Sequence, residues 1–193
     1  MQDPIARFAS LLERARATDL PEPTAVALAT ADSEGRPSVR MVLLKGFDQD
    51  GFVFYTNLQS QKARELAENP NAALCFHWQP LEAQVRVAGP VSRVTDAEAD
   101  AYFESRPRGS QVGAWASRQS QPLESYARLE DRAAEIHVRF ADRPIPRPHF
   151  WSGFRLSPTR IEFWSARPSR LHEREVFIRD PQSGEWGVQL LYP

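Results

Sequence analysis

Twenty-four basic residues against 25 acids leave this 193-residue chain with a net charge of −1, which excludes a global electrostatic pull toward nucleic acid or an anionic membrane. Cys75 is the only cysteine, so neither an intramolecular disulfide nor a thiolate metal cluster is available. No apolar run reaches membrane-spanning length, and Asp3 and Arg7 interrupt the N-terminus where a signal peptide would be apolar. The expectation is a cytoplasmic chain with a core of real size and no bound metal.

Asp3-Pro4 reads as an N-cap followed by a first-turn proline, and Ile5, Phe8, Leu11, Leu12 and Ala15 recur at helical spacing, so an amphipathic helix is predicted over 3–17. Pro21 and Pro23 end it. Residues 24–30 (TAVALAT) form a strand, turned at 32–35 into the stretch RPSVRMVLLKGFDQDGFVFYTN, residues 36–57. Its apolar runs, 39–44 and 52–55, flank Asp48-Gln49-Asp50-Gly51 and predict a β-hairpin, both strands too apolar to face water on either side. Arg40 and Lys45 lie in or at the end of the first run. Either an external anion or acids elsewhere in the fold must partner them. Lys45 and Lys62 are the only lysines in a chain otherwise committed to arginine, which marks both as places where a compact ammonium is wanted.

A helix is predicted over 61–68, with Ser60 as its cap and Asn69-Pro70 as its stop. Lys62 then stands in the first turn, against the helix dipole. It is either a solvated lysine or one that shares a phosphate with the free N–H groups. Strands over 72–78 and 81–94 follow, the second kinked at Gly89-Pro90, and six β runs with short turns read as an antiparallel barrel. Gln84 sits among Val85, Val87 and Ala88, where its amide serves either structure or the edge of a heterocycle. Thr95-Asp96-Ala97-Glu98 is a capping box opening a helix that carries Tyr102 and Phe103. Residues 105–111 (SRPRGSQ) are either an anion cradle, with Tyr102 one turn before Arg106, or a solvated loop. Helices over 111–117 and 123–140 lead to a stiff connector with Pro144, Pro146 and Pro148, then to strands over 150–156, 160–165, 175–179 and 186–192. In an extended chain Arg170, His172 and Arg174 share one face beside Trp164, as a ligand site or as a solvated edge.

RMVLLK, FYTN, SQKA, YFESRPRGSQVGAW, SRQS, IEFW, RLHER and the terminal Pro193 resemble, in order and nearly in spacing, the pyridoxine/pyridoxamine 5′-phosphate oxidases. The likeness runs from Asp3 to Pro193. It implies a β-rich α+β fold, an antiparallel split β-barrel with peripheral helices. It implies one FMN-binding domain over 1–193, with oxidase-specific strands over about 150–193, paired as a homodimer with FMN at each subunit interface. It assigns Arg40, Met41, Val42, Leu43, Leu44, Lys45, Tyr55, Thr56, Gln61, Lys62, Gln84, Gln119, Ser120, Trp164 and Arg174 to FMN, with Arg40 and Lys62 on the flavin phosphate, and so implies that these cations need no internal acids. Lys45, Tyr102, Arg106 and Ser110 match the residues that hold the substrate phosphate, while Arg170, Leu171 and His172 match those around its pyridine ring. The resemblance implies that Arg170 and His172 are the catalytic pair, with His172 a candidate proton acceptor.

The implied reaction oxidises pyridoxine 5′-phosphate or pyridoxamine 5′-phosphate at C4′ to the aldehyde. The flavin takes the hydride and O₂ reoxidises it, releasing H₂O₂, and NH₃ from the amine. Gln61, Ala83 and Leu190 stand where the family usually has arginine. Two other readings share the fold: a flavin oxidase of another aromatic substrate of phenazine type, and a non-catalytic flavin-binding split barrel.

Overall fold

The computed structural model describes residues 3–193. Helix α1 (Pro4–Arg16) forms where the sequence places it: the Asp3 carboxylate accepts the Ile5 N–H at 2.9 Å, and Ile5, Phe8, Leu12 and Ala15 are buried. Phe8 closes one end of the barrel, its ring 4.9 Å from those of Phe52 and Phe76. Such edge-on pairs add to the burial of their area.

Strands β1 (Ala25–Ala31) and β2 (Pro37–Leu43) make an antiparallel hairpin through a turn in which Asp32 accepts the Glu34 and Arg36 N–H groups. A second hairpin joins β3 (Gly46–Asp48) to β4 (Gly51–Asn57). Gly51 has φ 138°, and a Cβ there would lie 2.1 Å from the Leu156 carbonyl oxygen, so only glycine fits. The hairpin predicted between 39–44 and 52–55 is therefore divided. The Leu44 N–H bonds Thr24 at 2.9 Å and the Lys45 N–H bonds Val53 at 2.9 Å, so the chain passes from one ladder to the next at this point.

The β5 (Asn71–Trp78) and β6 (Ala83–Arg93) strands continue the sheet, and β6 changes partner at Gly89-Pro90. Its first part pairs β5 and β8 (Arg160–Ser165), and its last three residues pair β7 (Trp151–Leu156), which pairs β4. The order β4-β7-β6-β5-β1-β2, with β2 running on into β3, closes a barrel by chain continuity. Strands β8, β9 (Glu173–Arg179) and β10 (Trp186–Leu190) extend from β6 as a wing. Among the described residues there are thus ten strands where the sequence suggested fewer.

Strand β2 is not enclosed on both faces, contrary to its apolar reading. Val39 is 69% and Met41 63% exposed, and Leu43 is exposed beside them. Residues 170–174 are not extended throughout either. Pro168–Arg170 form a tight turn with Ser169 at φ 57° and Arg170 at φ 61°, and β9 begins only at Glu173.

Helices α2 (Gln61–Glu68), α3 (Asp96–Ser105), α4 (Arg108–Ala116) and α5 (Tyr126–Arg139) lie outside the barrel. Helix α4 starts three residues before its predicted position because Pro107, extended at ψ 140°, sets its N-terminus. Helix α5 starts three residues after its predicted position because the Ser125 hydroxyl caps the Arg128 N–H. No helix among the described residues is long and apolar enough to cross a membrane.

Candidate functional site

At the mouth of the barrel, β4 delivers Tyr55 and Thr56, and a turn closed by Asn57 starts α2. Ser60 occupies the cap position without capping: its hydroxyl lies 3.4 Å from that of Thr56, so the first N–H groups of α2 lack a side-chain acceptor. Lys62 is 7% exposed and donates to the Thr56 hydroxyl at 3.2 Å and to the Gln119 amide oxygen at 3.3 Å. It is not a solvated lysine. Burial pulls its pKa down to about 8, Arg40 adds to the shift, and Glu65 opposes it.

The opposite wall is built by α3 and α4. The capping box predicted at Thr95 is formed, and Gln111 ties the turn between the helices by donating to the Phe103 carbonyl at 2.9 Å. This turn separates the two guanidinium groups of SRPRGSQ. Arg108 is structural, donating to the carbonyls of Phe140, Ala141 and Arg143 beyond α5. Arg106 enters the site with its guanidinium 4.8 Å over the Trp151 ring, and its Nη1 is buried with no hydrogen-bond partner. Burial holds its pKa below the ordinary guanidinium value. Tyr55 stacks on Tyr102 at 4.0 Å and on Trp151 at 5.2 Å, giving the wall a flat aromatic surface.

Between the walls is a cavity of about 450 Å³, within the range of small-molecule sites. Of the residues proposed from sequence it brings together Met41, Val42, Leu43, Lys45, Tyr55, Thr56, Lys62, Tyr102, Arg106, Ser110 and Gln119. Among the described residues, three cations and no carboxylate line it. Asn57, Ser117 and Trp151 line it too and were missed, although a tryptophan at the start of a strand behind a proline-rich connector was a readable signal.

The remaining candidates lie elsewhere. Arg40 is beside the cavity and does have an internal acid: it donates to Glu65 at 3.3 Å, and to Thr30 and Ser38. Gln61 donates to the same carboxylate at 2.8 Å. With Ser38, Thr30, Gln61 and Arg40 around it, Glu65 is held at about 2 despite burial. The Leu44 side chain is buried in the barrel core, so only its backbone can meet a ligand. Ser120 lies past Gln119 in a left-handed turn, φ 68°. Gln84, Trp164 and Arg174 form one cross-strand row over β6, β8 and β9, and His172 packs 4.7 Å from the Trp164 ring. By register this row shares its sheet face with Met41, but β1 and β5 stand between β2 and Gln84, three strand spacings or roughly 14 Å, and Arg174 on β9 is five spacings away, roughly 24 Å. Arg174 also has an internal acid, Glu162 at 2.9 Å.

The donor set fits a phosphorylated aromatic ligand: a buried ammonium and an unsatisfied guanidinium for anions, with stacked rings for a planar body. Fold and site define the class, a split β-barrel with a cationic, aromatic-walled ligand cavity at its mouth. Residues 11–140 match the family described as pyridoxamine 5′-phosphate oxidase, and residues 151–193 match the pyridoxine 5′-phosphate oxidase C-terminal dimerisation region. A Myxococcus xanthus (strain DK1622) protein named pyridoxine/pyridoxamine 5′-phosphate oxidase is 60% identical over 191 residues, covering 99% of this chain and 92% of that one. Its Rhizobium johnstonii namesake is 57% identical, covering 99% and 93%. The crystal structure of PhzG from Burkholderia lata 383, in complex with tetrahydrophenazine-1-carboxylic acid, is similar with TM-score 0.93 at 33% identity, covering 100% of this chain and 94% of that one. The chain belongs to the pyridoxine/pyridoxamine 5′-phosphate oxidase family.

Proposed function

We propose that this chain, acting as a single domain in each half of a homodimer, oxidises pyridoxine 5′-phosphate and pyridoxamine 5′-phosphate to pyridoxal 5′-phosphate, with FMN as cofactor and O₂ as acceptor. The observation that carries the reading is the acid-free cavity with cations at separate positions, Lys62 on one wall and Arg106 on the other. Lys62, with Thr56, Gln119 and the N-terminus of α2, would hold the FMN phosphate, and Arg40 would add charge from behind. Arg106, Tyr102, Ser110 and Lys45 would hold the phosphate of the substrate, and Trp151 would stack behind Arg106. FMN, when bound, supplies the two-electron acceptor that O₂ then regenerates. The protein's part is orientation and exclusion of water.

Homodimerisation is supported by the division of the site. None of Trp164, Arg170, His172 and Arg174 lines the cavity of its own chain, and the exposed Val39, Met41 and Leu43, two of which line it, share a sheet face with Trp164 and Arg174. A second copy seated on that face would bring its row to the cavity of the first. The Nδ1 of His172 accepts the Arg167 backbone N–H at 3.2 Å, which leaves Nε2 as the ring nitrogen that would face a ligand. The phenazine-type reading is not favoured, since the phenazine-bound relative is 33% identical against 60% for the Myxococcus xanthus oxidase.

The test is the spectrum of the purified protein. A flavin absorbance that bleaches when pyridoxine 5′-phosphate is added without oxygen, in a particle sedimenting as a dimer, is the expected result. A flavin-loaded monomer would refute the shared site, and a flavin that pyridoxine 5′-phosphate leaves oxidised would refute the activity.

A pH dependence follows from Lys62. A bound phosphate favours its ammonium and raises its pKa, whereas the cofactor-free protein loses that proton near pH 8. Binding above pH 8 must therefore take up a proton, and FMN affinity is expected to fall there by up to about tenfold per pH unit. Titration of apoprotein between pH 7 and 10 checks this; a flat profile would remove Lys62 from the phosphate.

A further inference from the structure

Beside the row Gln84, Trp164 and Arg174, on the same face of the sheet, lies a carboxylate that none of the ligand assignments uses. Glu162, in the middle of β8, belongs to the outer face of the sheet yet is 1% exposed, because three arginine side chains fold over it. Arg174 Nε donates to its Oε1 at 2.9 Å, Arg160 Nη2 to its Oε2 at 3.1 Å, and Arg86 Nη2 to that same oxygen. One acid under three guanidinium groups leaves a local excess of positive charge, so neutralisation does not account for it. Fixing a guanidinium in place does. Arg174 is held at two points, Nε by Glu162 and Nη1 by the Tyr192 carbonyl at 3.0 Å. This sets the plane of the group and leaves its Nη2 without a hydrogen bond among the described residues.

We propose that Glu162 is a positioning residue of the cofactor site, which fixes the Arg174 guanidinium so that its unengaged Nη2 serves FMN bound between two subunits. The inference rests on the reading of Arg174 as a cofactor ligand given above. Although burial raises the Glu162 carboxyl, the hydrogen bonds from Arg174 and Arg86 outweigh it and keep the group near 2, so it stays an acceptor throughout the neutral range.

The experiment is an FMN titration, by quenching of flavin fluorescence, of full-length apoprotein carrying Glu162→Gln, Arg174→Ala or both, with urea unfolding of each apoprotein alongside. Each single change is expected to raise the Kd for FMN by about tenfold. The double variant should bind no worse than Arg174→Ala alone, because Glu162 acts through that arginine. Should Glu162→Gln fail to fold, Glu162→Asp carries the test: it keeps the charge, withdraws it by one methylene, and is expected to weaken FMN binding as well. Wild-type affinity in the Glu162 variant that folds, whatever its stability, overturns the inference and leaves Arg174 as a ligand. Fully additive losses overturn it too. Unchanged affinity in Arg174→Ala would instead show that the ligand reading itself is wrong, and the inference falls with it.

Discussion

Replacing Lys62 by Met is expected to weaken FMN binding by about 10- to 100-fold while making the cofactor-free protein more stable, a combination that an ordinary structural lysine would not give. The first effect is the loss of a charge-assisted contact to phosphate, about 1.5–3 kcal/mol. The second follows from burial: at 7% exposure the ammonium has, among the described residues, only Thr56 and Gln119 as hydrogen-bond partners and no acid. Its pKa of about 8 lies below the unfolded value, so the unfolded chain binds the proton more tightly between the two. The stability penalty is thus fully present below about pH 8 and is relieved as pH rises toward the unfolded value. Met has a similar length and no charge to desolvate, and the Thr56 hydroxyl keeps its 3.0 Å bond to Gln119. Urea unfolding of the apoprotein at pH 7 and FMN titration check the two halves separately. Unchanged affinity would remove Lys62 from the phosphate, and a less stable apoprotein would contradict the cost assigned to its burial.

Arg106→Ala and Arg170→Ala are expected to fail in different ways. Arg106 reaches the cavity from the α3–α4 turn with a buried, unpartnered Nη1, and its proposed target is the substrate phosphate, remote from the reacting carbon. A contact made alike in ground and transition states supports binding, so its loss should raise KM by about 10- to 100-fold with kcat nearly unchanged. Arg170 stands at φ 61° in the turn before β9, beside His172, and its proposed target is the ring next to C4′. Its loss should lower kcat as orientation degrades. Neither change should release FMN. Steady-state kinetics with flavin content measured first distinguishes the two. Equal losses of kcat with unchanged KM would sink the division of roles, and apoprotein from either variant would reassign that residue to the cofactor.

Local signals were read well from sequence because their physics is local. The Asp3-Pro4 start, the limits of α2, the Thr95 capping box and the kink at Gly89-Pro90 each depend on residues a few positions apart. Strand partnership was read less well. Residues 39–44 and 52–55 look like neighbours across a turn, but the chain changes ladder at Leu44 and Lys45, and the hairpin belongs to the short β3. The extended reading of 170–174 failed because nothing in that composition requires the left-handed pair Ser169 and Arg170, neither of them glycine.

From the sequence alone came the elements, the family and the store of cations, including the two lysines kept among arginines. Which of those cations are already neutralised was decided only by the tertiary structure. Arg40 rests on Glu65 and Arg174 on Glu162, Arg108 is spent on backbone carbonyls, and Lys62 and Arg106 are left facing a cavity without an acid. The reason is range. A hydrogen-bonded ion pair forms only when sheet register and helix packing bring distant residues to about 3 Å, and neither composition nor periodicity carries that distance.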